Sequence, residues 1–446
     1  MGTLFLIDYS RRDFLKISLA SALGVSYSGW LEAMARTVDP KKRLRSCILL
    51  WMNGGPSQTY TFDMKAGTDH GGPFKAIPTA VPGIQISEHL PGIAQHMNDI
   101  AIIRSMTSKE GDHGRATYLM RTGYRPQESV QYPTLGSIVA KELGQDGSEL
   151  PSFVSISPFK FFGASGLGPG FLGPEYAPLT VTGRPGPEAK PSDDLYVDNL
   201  APPGSVDEGS MQNRFEILGF LQSEFGSRYP HPSAKAHRAN YERAARMMLS
   251  QARTVFDLNN EPDSLRDAYG RNRFGQGCLL ARRLVERGVP FVEVTLANVP
   301  GNDVAWDTHI NNFDMVKLLS QVLDPAWSSL MKDLKSRGLL ESTLIVWMGE
   351  FGRTPKINPQ NGRDHYPAAW TTVLAGGGIK GGQVIGDTGK TGEKVEDRPV
   401  PVANFFATIC SALSINPKTE NTSPEGRPIP VVERGGQPIR DLLADV

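Results

Sequence analysis

Two apolar patterns alternate along this chain. The first is a set of short unbroken runs, Leu44–Met52, Ile100–Arg104, Ser152–Ser157, Val289–Leu296, Thr343–Trp347 and Trp370–Ala375. Runs of that length without a polar face are what strands buried on both sides look like. The second has an apolar residue every three or four positions and predicts helices over Gly114–Arg121, Tyr132–Leu143, Met211–Phe225 and Ala234–Phe256. Phe274, Cys278, Ala281 and Val285 mark a further helix that Gly288 ends. Phe313, Val316, Leu319, Leu323, Trp327, Leu330 and Leu334 mark a long one that Pro325 is expected to kink. Val402, Phe405, Phe406, Ile409 and Leu413 mark the last. Strands alternating with helices predict an α/β fold: a three-layer α/β/α sandwich on a mostly parallel central sheet. Residues 158–270, loop-rich and then helical, read as an insertion or cover within one domain spanning 36–446.

The first 35 residues follow a different rule. Ser10-Arg11-Arg12-Asp13-Phe14-Leu15-Lys16 has the form of a twin-arginine export signal, followed by a mildly apolar run, Ile17–Leu31, and an Ala33-Met34-Ala35 cleavage site. The chain is therefore expected to meet the twin-arginine translocase and to work in the periplasm or outside the cell. No run reaches the roughly 18 apolar residues of a membrane helix, so stable membrane insertion is not expected. Lys+Arg and Asp+Glu are both 47, which gives no field to attract nucleic acid. Cys47, Cys278 and Cys410 are isolated, lack C-x-x-C spacing and read as buried free thiols.

Candidate chemistry gathers where the strands end. The Thr343–Trp347 run breaks into Met348-Gly349-Glu350-Phe351-Gly352-Arg353, with Arg363-Asp364-His365-Tyr366 following on a loop. Open α/β sheets place ligands outside the carboxyl ends of their strands. The same edge should receive Asn53, Ser57, Asp63, Asp112, His113, Asp307, His309, Glu350, Asp364 and His365. So many carboxylates and imidazoles in one crevice repel or desolvate one another unless a cation organises them. A divalent metal, Zn, Mn, Mg or Ca, is the expected cofactor. Its candidate ligands are Asn53, Asp63, Asp307, His309, Glu350, Asp364 and His365. Two G-x-G-x-x-G matches, Gly168–Gly173 and Gly376–Gly381, lack the strand-then-helix context of a dinucleotide loop and read as turns.

GGPSQTYTFD, WDTHINNF, GEFGRTPKIN, GRDHYP and VPVANFFATICSALSI, in that order and behind an export signal, resemble the exported bacterial family called domain of unknown function 1501. That family is grouped with the alkaline phosphatase and sulfatase superfamily. The resemblance implies an alkaline phosphatase-like sandwich with a metal site at the carboxyl edge of the sheet, acting on phosphate or sulfate esters, small or glycan-borne. Asp307 and His309 resemble the superfamily's middle metal motif, and His365 its final metal-binding histidine. Asn53 stands where a metal-binding Asp ends the first strand, and Phe351 replaces a His beside Glu350. Sulfatases carry a Cys or Ser, modified to formylglycine, nine residues before a Thr-Gly pair. Here that count from Thr122-Gly123 lands on His113, which excludes formylglycine chemistry.

Two functions follow as expectations. One is a metal-dependent ester hydrolase, with His113 as base or nucleophile and Arg115 or Arg353 stabilising anionic charge. The other is a member without turnover that binds a glycan or protein outside the cytoplasm.

Overall fold

A computed structural model describes residues 45–145, 147–158, 168–183, 195–197, 200, 206–229 and 232–444. The export signal, its cleavage site, Phe159 and Phe161-Phe162 lie outside them.

The strand runs assemble into one ten-stranded sheet. Its strands are β1 (Ser46–Met52), β2 (Ile100–Thr107), β3 (Phe153–Ile156), β4 (Leu179–Gly183), β5 (Leu195–Tyr196), β6 (Phe291–Leu296), β7 (Thr343–Met348), β8 (Trp370–Gly376), β9 (Gln383–Ile385) and β10 (Val400–Pro401). The order across the sheet is β9-β2-β8-β7-β1-β6-β3-β4-β5, with β10 also on β2. The pairs β7–β1, β1–β6, β6–β3 and β3–β4 are parallel. β8 alone in the interior is antiparallel, to both β7 and β2, and β5 is antiparallel at the edge.

β1 shows why its run carries no polar face. Ile48, Leu50 and Met52 pack on one side with Leu319, Leu323 and Trp327 of the helix Asn312–Ser336, while Cys47, Leu49 and Trp51 pack on the other with Ile138, Phe405 and Phe406. Burying each such side chain stabilises by about 1.5–3 kcal/mol. The helices are α1 (His113–Thr122), α2 (Leu135–Leu143), α3 (Glu208–Arg228), α4 (Pro232–Leu249), α5 (Arg273–Glu286), α6 (Asn312–Ser336, with Pro325 inside it) and α7 (Val402–Ala412). α5 and α6 cover the first face, and α1, α2 and α7 the second. This is the expected three-layer α/β/α sandwich. The three cysteines are buried and free, and burial pushes their thiols up.

The segment 158–270 does more than cover the domain. It supplies β4 and β5 to the sheet edge, and its α3 and α4 pack on each other. No helix among the described residues is long and apolar enough to cross a membrane.

Candidate metal centre

Parallel register brings the ends of β1, β6 and β7 level, with Met52 beside Leu296 and Trp51 beside Met348. Three loops leave this edge and lock together just above it. Gly54 is their junction. Its φ of 107° suits glycine, and a Cβ there would lie 2.4 Å from the Asp307 nitrogen, so only glycine admits the loop after β6 so closely. The Trp306 N–H donates to the Asn53 carbonyl at 2.9 Å, and the Gly54 N–H to Glu350 Oε1 at 2.9 Å.

Because β8 runs against β7, residues 349–369 leave and return at the same edge. Gly352-Arg353 and His365-Tyr366 pair within this excursion, which turns His365 back over the sheet. Gly362 seats it against the preceding loop; a Cβ there would lie 1.7 Å from the His309 carbonyl oxygen. His113 arrives as the first residue of α1, whose start Asp112 caps by accepting from the Arg115 N–H at 3.0 Å.

Each of three histidines is held through Nδ1. That of His113 lies 2.7 Å from Glu350 Oε1, that of His309 2.8 Å from Asp364 Oδ1, and that of His365 2.8 Å from the Gly111 carbonyl. Carboxylates and carbonyls only accept, so every Nδ1 carries a proton and donates. The opposite nitrogens face Asp307. His113 Nε2 is 3.3 Å from Oδ2, while His309 and His365 Nε2 are 3.1 and 3.3 Å from Oδ1. His309 and His365 Nε2 are 3.0 Å apart. His113, Asp307 and His365 each offer a ligand atom within 4.8 Å of the others.

The electrostatics follow from this crowding. Burial lowers the affinity of His113 for a second proton, but its bonds to Asp307 and Glu350 outweigh burial and push its pKa up to about 9. Burial opposes the charge of Asp307, yet bonds from His113 and His365 and the Arg353 guanidinium hold it far below the usual carboxylate range. His309 holds the Asp364 carboxyl low in the same way. The residues fit a divalent cation: imidazole nitrogens with an anionic oxygen are a donor set that divalent transition metals accept.

Several expected site residues have other work. Arg353 is fully buried and donates to the Gly55 carbonyl at 3.0 Å, the Arg363 carbonyl at 3.1 Å, the Gly54 carbonyl and Asp307. Its donors are committed to positioning Asp307 and the loops, which corrects the expectation that it stabilises charge on a substrate. Arg115 has a partner outside the histidine cluster. Its side chain is 54% exposed and forked on Glu110 at 2.7 and 3.1 Å. Asp63 is buried against Lys65 at 2.9 Å and Thr388, with no bond to the histidine cluster among the described residues. Ser57 bonds Thr59 at 3.0 Å. Glu350 sits behind His113; its Oε2 and Asn53 Nδ2 are buried and bond no described residue.

Sequence reasoning missed three contributors. The Phe351 ring packs against both His113 and His365, with centroids 4.9 and 4.5 Å away. The Gly111 carbonyl orients His365, and a backbone atom leaves no signal in residue identity. Arg363, fully buried, donates to the Thr354 carbonyl at 2.7 Å, the His70 carbonyl at 2.6 Å, the Pro355 carbonyl and the Tyr60 hydroxyl.

Fold and cluster together define an α/β/α sandwich protein with a candidate metal centre at the carboxyl edge of its sheet. The chain belongs to the family described as "Protein of unknown function (DUF1501)", which matches residues 44–443. No curated protein matches it. Among solved structures it is similar to the PsFucS1 sulfatase from Pseudoalteromonas sp., at 13% identity over 91% of this chain and 72% of that one, with a TM-score of 0.40. The phosphonate monoester hydrolase SpPMH from Silicibacter pomeroyi has 13% identity over 89% and 76%, with a TM-score of 0.38. A protein in the alkaline phosphatase superfamily from Vibrio parahaemolyticus has 11% identity over 86% and 74%, with a TM-score of 0.35. These likenesses are loose; the sheet order itself defines the fold.

Proposed function

We propose that this protein is a metal-dependent hydrolase of phosphate or sulfate esters. One observation carries the metal: three imidazoles, each fixed through Nδ1 by an acceptor, turn Nε2 onto the single carboxylate of Asp307. Without metal, protons on these nitrogens answer the charge of Asp307; a divalent cation would displace them and take the Nε2 lone pairs together with the carboxylate. The ester class rests on the motif resemblance of GEFGRTPKIN and GRDHYP.

His113, Asp307 and His365 would hold the ion, which would polarise the ester and lower the pKa of a water. Glu350 and the Gly111 carbonyl orient their imidazoles as outer partners do at metal sites. Phe351 shields the inner side of both rings from water. His309, 41% exposed and backed by Asp364, is the imidazole placed to move a proton at the mouth. His113, buried and backed by Glu350, is thereby assigned as ligand and not as base or nucleophile. Export along the twin-arginine route, inferred from Ser10–Lys16, the run Ile17–Leu31 and Ala33-Met34-Ala35, is tested by fractionating cells that express the full chain.

The test is to purify the protein and count metals by plasma mass spectrometry, beside Asp307→Asn and His365→Ala. We expect about one Zn or Mn per chain, lost in both variants. Absence of metal, together with no thermal stabilisation by added Zn or Mn, sinks the reading. Metal without turnover on phosphate and sulfate esters overturns the hydrolase half and leaves a binding protein.

A further inference from the structure

We propose that the outward face of α3 is an interface between two copies of this chain, with the two α3 helices packed antiparallel. Eight large apolar side chains are exposed among the described residues, and five of them form one row here. They are Ile217, Phe220, Leu221, Phe225 and Tyr229, each 56–66% exposed. Ile217, Leu221 and Phe225 are spaced by four and Phe220 joins Ile217 at three, so they share one side of the helix. The Tyr229 ring continues the row, with its centroid 4.9 Å from that of Phe225. From end to end the row runs about 18 Å.

Folding does not use this face. Met211, Phe215 and Leu218 lie on another side of the helix and are buried or half-buried, and α3 already packs on α4. Single exposed apolar side chains are ordinary, whereas a contiguous row marks a binding surface. Each of the five brings about 100 Å², so two copies would cover on the order of 1,000 Å² of apolar surface. With a polar rim added, that meets the lower limit of a specific interface.

The charges select the occupant. The charged side chains described on α3 are Arg214, Glu216, Glu224 and Arg228, two of each sign. A helix that lies on an anionic membrane collects Lys and Arg instead. On α4, Arg238 is paired with Glu242 at 2.7 Å, while Arg243 and Arg246 line a cavity with Ala140 and Lys141 of α2. A two-fold axis makes every contact occur twice. Setting Ile217 against Leu221 of the second copy also sets Arg214 level with Glu224 of the second copy. Glu224 is free to accept there, because its own Arg228, at 3.2 Å, occupies only Oε2.

The test is sedimentation velocity of the full chain over a range of concentrations. We expect a reversible monomer–dimer equilibrium with a dissociation constant on the order of micromolar, the weak end for such an area. Leu221→Glu should leave a monomer with an unchanged melting temperature, since the side chain is exposed. Arg214→Glu and Glu224→Arg should each weaken the dimer at least about tenfold by setting like charges opposite, and the double variant should restore it. A monomer at every concentration, a dimer indifferent to Leu221→Glu, or no recovery in the double variant would each overturn the proposal. So would a chain that stays monomeric but floats with phosphatidylglycerol–phosphatidylethanolamine vesicles and loses that binding in Leu221→Glu, which would assign the face to lipid.

Discussion

Glu350 was expected to bind metal directly, and its neighbours assign it a different task. One oxygen accepts from both His113 and the Gly54 N–H, so the carboxylate fixes the imidazole that faces Asp307. Glu350→Gln keeps the shape and removes the charge that makes His113 a stronger donor. The expected result is a folded protein whose metal dissociation constant rises about 10–100-fold, measured by competition with a fluorescent chelator. A change of less than twofold would show that Glu350 is only a packing group. The residue types of the cluster were legible in the sequence, because His and Asp after strand ends have few other reasons to accumulate. Their division of labour was not. Whether a carboxylate faces the ion or stands behind a ligand depends on a few ångströms of loop path, and Arg353 shows the same: a guanidinium reads as an anion binder until its donors are counted.

At the scale of elements, the unbroken apolar strands were legible because burial on both faces removes every polar position. β4 and β5 escaped notice because a short edge strand among prolines and glycines carries no such run. The antiparallel sense of β8 was also hidden, since residue pattern does not encode direction. One polar exception inside the layers is open to test. Arg121 of α1 meets Glu293 of β6 at 2.9 Å, both buried, with the guanidinium 4.4 Å from the Trp51 ring centroid. Removing one partner strands the other charge, so Glu293→Leu should cost about 3–5 kcal/mol in urea unfolding. Arg121→Met combined with Glu293→Leu should recover most of that loss, as paired replacement of buried ions often does. Simple additivity of the two single losses would mean that the pair is not coupled.

For the molecule as a whole, most binding chemistry is hung from one edge of a rigid sheet, and the excursion between β7 and β8 is the part that could have been loose. It is instead wrapped around two guanidiniums, Arg353 and Arg363, each bonded to several carbonyls from different loops. Burial lowers the pKa of both, yet arginine keeps its charge across the whole biological range. The loop therefore takes its shape from cations that belong to the chain and never leave. Small zinc domains unravel when their ion is withdrawn; here chelation should empty the centre while circular dichroism and melting temperature stay nearly constant. Such a protein could be stripped of metal and reloaded without ever having to refold.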